Sequence, residues 1–483
     1  MTRFWTPQSI CGIRRVAYAA AINVFAGLKA ARPEFEHRQY PMPTPTDTLG
    51  QLRAGQLKGI QRLDLGCGLT EFPPEIFDLA DSLQVLNLSG NALTSLPDDL
   101  PRLHQLRVIF GSDNRFTALP PVLGQCPQLQ MVGFKANQIH SVPAAALPPQ
   151  LRWLILTDNQ IEALPASIGD CSQMQKLMLA GNRLQQLPAQ LAHCQQLELL
   201  RISANQLDVM PPWLVDLPRL AWLACAGNPF SDVYSQAHQH TPSSAIEWRN
   251  LRLQHVLGEG ASGVIYQALL STRRDDSHEN CAPSTVAVKL FKGTVTSDGW
   301  PHSELAACLA AATKPHPNVI PVIGPLAGHP EGSAGLVMQL VPPRFTTLAG
   351  PPSLQTCTRD VYPAGSRFSL QKIMRIGLGV ARAAAHLHTR GLLHGDLYAH
   401  NVQSDADGFC LLGDMGGASF LPADQAASQA LQRLEVRAFG CLLEELLAHG
   451  IQAPSAALTA LQARCLGTPA QRPLFDEIVQ SLA

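Results

Sequence analysis

The stretch LQVLNLSGNALTSLP, Leu83 to Pro97, decides how the first half of this chain folds. Leucines at 83, 86, 88, 93 and 96 are set around Asn91, and comparable apolar offsets surround Asn114, Asn137, Asn159, Asn182, Asn205 and Asn228. The steps between these asparagines are 23, 23, 22, 23, 23 and 23 residues. A unit of this kind holds one short strand with one apolar face and cannot bury that face alone. Stacked neighbours bury it in a continuous core. The asparagine side chain can bond the open backbone groups of each turn and so form a ladder along the stack. A shorter, degenerate unit around Leu63, Leu65, Cys67 and Leu69 fits a cap.

The pattern LxxLxLxxNxLxxLP resembles that of leucine-rich repeats, which implies an α/β solenoid over residues 48–230. Two columns of strand residues should point outward on its concave face. One reads Val85, Val108, Met131, Trp153, Lys176, Leu199, Trp222. The other reads Asn87, Phe110, Gly133, Ile155, Met178, Arg201, Ala224. A solvated face should be polar, and this one is apolar with a basic rim, as contact surfaces often are. The cover could be the rest of the same chain. Since similar repeats bind proteins, a protein substrate or partner on Phe110, Met131, Trp153, Ile155, Met178 and Trp222 is the favoured expectation.

With 46% hydrophobic residues, 15% charged residues and a net charge of -1, the chain is core-forming and lacks the basic field of a nucleic-acid binder. No apolar run reaches the roughly 20 residues of a membrane helix, so no membrane is expected. Val16 to Leu28 has the length of a weak signal peptide, but Asn23 interrupts it. Residues 1–47 are read as an N-terminal segment, disordered or a short amphipathic helix, with Met42 a more usual start. The cysteines show no CxxC pair. Cys126, Cys171 and Cys194 recur at one place in the repeat and read as small apolar residues rather than as a metal or disulfide ladder. Scattered thiols fit a reducing, cytoplasmic compartment. The polar stretch after Phe230 reads as a linker, 231–247.

The second half holds five groups in order. They are a glycine-rich turn with Gly258, Gly260 and Gly263; Lys289 at the end of a VAVK run; Glu304; Asp396 and Asn401 in HGDLYAHN; and Asp414 in an Asp-Met-Gly triplet. Together they resemble the eukaryotic-type protein kinase signature, which implies a two-lobed α+β fold over residues 248–483. The expected parts are an N-lobe at 248–338, a hinge at 339–341 and a C-lobe at 342–483. The resemblance implies ATP and Mg2+ as cofactors. The glycines would approach the phosphates, and Ile265 and Ala287 would pack on adenine. Met338 would be the gatekeeper, with the backbone of Gln339 and Val341 holding the base. Lys289, held by Glu304, would grip phosphates, Asp396 would orient the acceptor hydroxyl, and Asn401 and Asp414 would bind magnesium.

The departures from the signature are as informative, and they give the domain a divergent, bacterial-style look. Gly395 stands where the family has arginine. Tyr398 stands where serine/threonine kinases keep lysine, and His400 where tyrosine kinases often keep arginine. Met415 replaces phenylalanine. Only 20 residues separate Asp414 from Glu435, with no A-P-E motif, so the platform for a peptide acceptor is reduced. Glu435 resembles the acid that opens a conserved C-lobe helix. Arg472 resembles the arginine that braces the activation segment, with Glu435 or Glu444 as substitute partners. An ATP:protein phosphotransferase, serine/threonine in preference to tyrosine, is favoured. An ATP-binding scaffold without transfer, and a kinase for a non-protein acceptor, are the alternatives.

Overall fold

The computed structural model describes residues 45–483, apart from 238–243, 261, 272–282 and 294; the Val16–Leu28 stretch lies outside the described residues. Helix α1, Pro45–Arg53, precedes the solenoid and buries Leu52 against its first turns. Eight three-residue strands follow as one parallel sheet: β1 Arg62–Asp64, β2 Val85–Asn87, β3 Val108–Phe110, β4 Met131–Gly133, β5 Trp153–Ile155, β6 Lys176–Met178, β7 Leu199–Arg201 and β8 Trp222–Ala224. Their register runs Val85, Val108, Met131, Trp153, Lys176, Leu199, Trp222 across the sheet, so the outward columns fall where the repeat places them.

The asparagine ladder is present in full. Asn114 accepts the Leu93 N–H at 2.9 Å and donates to the Leu88 and Gly111 carbonyls, and Asn137 through Asn228 repeat the scheme. A buried backbone group without a partner would cost about 1–3 kcal/mol, which is why one amide per turn recurs. Each of these asparagines follows a residue in the left-handed region, from Gly90 at +75° to Gly227 at +72°. Cys126, Cys171 and Cys194 are free, buried thiols; burial pushes them up to about 11, 11 and 12.

Helix α2, Pro229–Ala237, occupies the first half of the stretch expected to be a linker. Phe230 is buried in the solenoid core and stacks edge-on to Tyr234, four residues later, so α2 closes the solenoid's end. The next described strand, β9 Ile246–Glu247, already belongs to the second half. It joins a sheet of order β10-β11-β12-β14-β13-β9, where β10 is Leu251–Glu259, β11 Gly263–Leu270, β12 Ser284–Phe291, β13 Val322–Ala327 and β14 Gly335–Gln339. Helix α3, Pro301–Ala312, lies between β12 and β13.

The remaining lobe is mainly helical. After β15, Thr346–Thr347, comes α4, Leu370–Thr389, whose N-cap Ser369 accepts the Lys372 N–H at 3.2 Å. Short strands β16 Leu392–Leu393, β17 Val402–Ser404, β18 Cys410–Leu412 and β19 Ser419–Phe420 carry the loops of the cleft. Helices α5 Gln425–Ala448, α6 Ala456–Leu466 and α7 Phe475–Leu482 complete the lobe. The expected opening of a helix at Glu435 is displaced. Capped by Asp424, α5 starts ten residues earlier and uses up the segment before Glu435. Its added turns bring Leu431 and Leu434 into the solenoid's own apolar cluster.

The two halves share their cores. Leu393, Leu421, Leu431 and Leu434 are packed into the solenoid cluster, while Leu199, Ala221 and Trp222 are packed into the cluster built on α4 and α5. The concave face from Met178 to Trp222 is therefore covered by this chain itself. That corrects the expectation that Met178 and Trp222 await an external partner. Met131 is also buried, and Phe110, Trp153 and Ile155 stay half-exposed on the uncovered end of the face.

Candidate active site

Between the sheet and the helical lobe lies a cavity of about 720 Å³. Leu257, Gly258, Ile265 and Ala287 form its roof, Met338 through Val341 its back, and Asn401, Leu412 and Asp414 its floor. The β10–β11 hairpin places the glycines. A side chain added at Gly258 or Gly260 would meet nothing within 4 Å, so the protein itself does not require glycine there; a ligand approaching the backbone would. Gly263 is different. A Cβ there would lie 2.5 Å from the Leu290 carbonyl, so its glycine serves strand packing.

Lys289 on β12 is paired with Ile265 on β11 and Leu336 on β14, which points it into the cleft. It is buried, forms an ion pair with Glu304 from the first turn of α3, and lies 3.8 Å from Asp414. Burial works against the Lys289 ammonium, but Asp414 and Glu304 outweigh it and hold its pKa above the ordinary value. Asp414 sits at φ +53° and accepts the Gly416 N–H at 3.2 Å. A left-handed aspartate is uncommon, and such backbone strain gathers at functional sites.

The HGDLYAHN loop is held from three sides. Glu435 of α5 accepts the Gly395 N–H at 2.7 Å and pairs with His388 of α4 at 2.7 Å. Burial opposes its ionisation, but the bond with His388 prevails and keeps its pKa below the usual range. His394 bonds the Gly413 carbonyl through Nε2 and accepts the Asp396 N–H at Nδ1, tying the loop to the Asp414 turn. Asn401 donates to the Asp396 carbonyl at 2.8 Å and to its carboxylate Oδ2 at 3.0 Å, which leaves the lone pairs of its Oδ1 to accept a hydrogen bond or face a cation. The site thus brings Lys289, Glu304, Asn401 and Asp414 to one cleft, and Asp396 joins it through Asn401.

Three residues of this site carried no sequence signal as site residues. Asp360, in the loop between β15 and α4, binds the His400 N–H at 2.9 Å and Nδ1 at 2.8 Å. Asp298, just ahead of α3, and Arg201, from solenoid strand β7, meet at 2.9 Å, and Arg201 also forms an ion pair with Asp396 itself. Only Arg201 stood in a position open to suspicion, as a basic residue in the concave column.

Arg472 is not met by Glu435 or Glu444. Its guanidinium donates to the carbonyls of Gly467, Arg433 and, at 2.7 Å, Pro218 of the solenoid. Burial without a facing carboxylate lowers it to about 10. Similarly, Arg437 donates to the Arg219 carbonyl at 3.0 Å.

Asp360 has a half-buried acidic neighbour in Glu445, whose carboxyl also receives the Tyr362 hydroxyl at 3.4 Å. Burial, with Asp360 adding to it, pushes Glu445 up to about 8. An unfolded glutamate titrates near 4.3. Between those values the folded chain holds a proton that the unfolded chain has lost, so stability falls as pH rises through that window. Glu445→Gln removes the effect. Its melting temperature should exceed that of the wild type by about 2–4 °C at pH 9, with the gain gone at pH 4.5. An equal gain at both pH values in calorimetry would remove Glu445 as the titrating group.

Residues 251–438 match the protein tyrosine and serine/threonine kinase family model, and residues 82–103 match the leucine-rich repeat model. The chain joins a leucine-rich repeat solenoid to a protein kinase domain. Over 160 residues it is 30% identical to a probable serine/threonine-protein kinase, gdt4, of Dictyostelium discoideum, covering 33% of this chain and 8% of that protein. Over 186 residues it is 28% identical to the serine/threonine-protein kinase mos of Xenopus laevis, covering 38% of this chain and 46% of that protein. The angiopoietin-1 receptor of Danio rerio is 26% identical over 182 residues, covering 36% of this chain and 15% of the receptor. The chain therefore spans less than half the length of these relatives. Among the described residues of the repeat–kinase chain, no helix is long and apolar enough to cross a membrane.

Proposed function

We propose that this chain is an ATP- and magnesium-dependent protein kinase acting on serine or threonine, with the uncovered end of the solenoid serving recognition. The observation that carries the reading is the convergence of Lys289, Glu304, Asp414 and Asn401 on one cleft roofed by Gly258, a glycine that the fold itself does not need. The donor set suits a magnesium–nucleotide complex. Asp414 offers a half-exposed carboxylate and Asn401 an amide oxygen, both oxygen donors of the kind magnesium takes. Bound there, the metal would neutralise phosphate charge. The chain's own groups do the rest. Lys289 holds phosphate oxygens, Glu304 fixes Lys289, and the backbone near Gly258 and Gly260 closes over the phosphates. Asp396, kept ionised, accepts or orients the acceptor hydroxyl proton. The serine/threonine assignment draws on the printed names of the first two relatives.

Labelled ATP with dephosphorylated casein as acceptor tests this. Asp396→Ala should lower transfer by about 10³-fold and Lys289→Met comparably, with folding retained by calorimetry. Equal labelling by wild type and Asp396→Ala would remove the reading. One observation favours a second reading, a nucleotide-binding scaffold. Both carboxylate oxygens of Asp396 already have partners, and its side chain is only 16% exposed. Stabilisation by magnesium–ATP without transfer to any acceptor would select the scaffold.

A further inference from the structure

We propose that Arg201 of the solenoid is a positioning residue of the kinase site, supplying the cation beside Asp396 that the catalytic loop lacks, and that the last repeats stand permanently where an activation segment is missing. This rests on the kinase reading above.

The loop from His394 to Asn401 brings no free cation to Asp396. Tyr398 is uncharged and stacks on Trp222, with ring centroids 4.2 Å apart and planes 5° apart. His400 is turned to Asp360. Arg201 fills the gap from another domain. It is 3% exposed, it donates to the Gly395 carbonyl at 3.0 Å, and it forms ion pairs with Asp396 and with Asp298. One rigid, forked guanidinium thus joins the catalytic loop to the residue that leads into α3, the helix carrying Glu304. Without it, the half-buried carboxylates of Asp396 and Asp298 would lose the cation that is paired with both of them.

The surroundings are built for permanence. A Cβ at Gly395 would lie 2.5 Å from the Leu223 carbonyl, and one at Gly299 would lie 2.7 Å from Ser203 Cβ. Gly181 similarly faces Val295, at 2.3 Å for its missing Cβ. Trp222 donates through Nε1 to the Leu397 carbonyl at 3.0 Å, and the Cys225 N–H donates to Ser419 Oγ at 3.2 Å. Glu198 meets Thr358 and Arg359, and Lys176 donates to the Cys357 carbonyl at 3.0 Å. The braces that would hold an activation segment, Arg472 and the start of α5, are spent on the solenoid instead. A detachable cap would not share its core with the domain it covers.

The test uses the full chain, labelled ATP and dephosphorylated casein, with magnesium–ATP thermal stabilisation as the check on folding and nucleotide binding. Arg201→Ala should lower kcat by about 100-fold or more while the KM for ATP stays within about three-fold, because the guanidinium acts on the acceptor side. Arg201→Lys should recover about ten-fold of that loss, having the charge without the fork. Transfer unchanged or faster in Arg201→Ala overturns the inference and makes the solenoid a block on the site. Should Arg201→Ala lose the magnesium–ATP stabilisation, Asp298→Asn decides. It leaves the Asp396 pair in place and should lower kcat about ten-fold with the stabilisation kept; an unchanged kcat overturns the inference. A wild type that is stabilised by magnesium–ATP and transfers nothing removes the kinase reading, and this inference with it.

Discussion

Gly395→Ala should destabilise the chain by about 2–4 kcal/mol, a large effect for one methyl group. Gly395 has φ +73°, where an L side chain costs about 1 kcal/mol. The rest is steric. The new Cβ would stand 2.3 Å from the Gly417 carbonyl oxygen and 2.5 Å from that of Leu223, and neither backbone can rotate away as a side-chain tip would. Gly365→Ala is the internal control. Its φ is +80°, but a Cβ there meets nothing within 4 Å, so only the conformational cost of about 1 kcal/mol should appear. Urea unfolding of both variants separates the two contributions. Equal losses would mean that the solenoid does not press on the catalytic loop. Gly395→Arg, which restores the residue usual in kinases, should lose more than Gly395→Ala for the same reason.

Gly395 also shows how much of the molecule was legible in the sequence. As a departure from the signature it was visible at once, but its causes were not, because they are a positive φ, the Gly417 carbonyl and the Leu223 carbonyl 172 residues earlier in the chain. Local pattern recovers what local physics dictates. The 23-residue period gave the strand register, the Asn ladder and the inward leucines. Lys289 and Glu304 could be matched because one glutamate alone lies between Lys289 and His316. The docking of the two halves has no such period. An apolar column announces that something covers it without naming the cover, and the carbonyls that satisfy Arg472 and Arg437 belong to any residue type. The α2 helix was missed for another reason. Polar residues follow Phe230, and the apolar signal was short: Phe230, Val233 and Tyr234 at helical spacing, of which Val233 is exposed.

Trp222→Ala should cost about 3–5 kcal/mol, the range for emptying a fully buried aromatic site. Trp222 is 1% exposed, stacks on Tyr398 and donates to the Leu397 carbonyl, so truncation removes the ring contact and leaves that carbonyl without its partner. Trp153 supplies the comparison within the same column. It is half-exposed beyond the covered part of the face, with Nε1 on Met178 Sδ at 3.4 Å, and Trp153→Ala should cost only about 1 kcal/mol. The shape of the melting curve should differ as well. Leucines of each half lie in the other's apolar cluster, so the wild type should unfold in one calorimetric transition. Trp222 sits where the two clusters meet over the catalytic loop. Its loss should split that transition in two, with the kinase domain melting first, because the solenoid keeps its stacked core while the HGDLYAHN loop loses its wall. A single transition in Trp222→Ala, shifted no further than that of Trp153→Ala, would show that the junction depends on the remaining contacts and that Trp222 only fills space there.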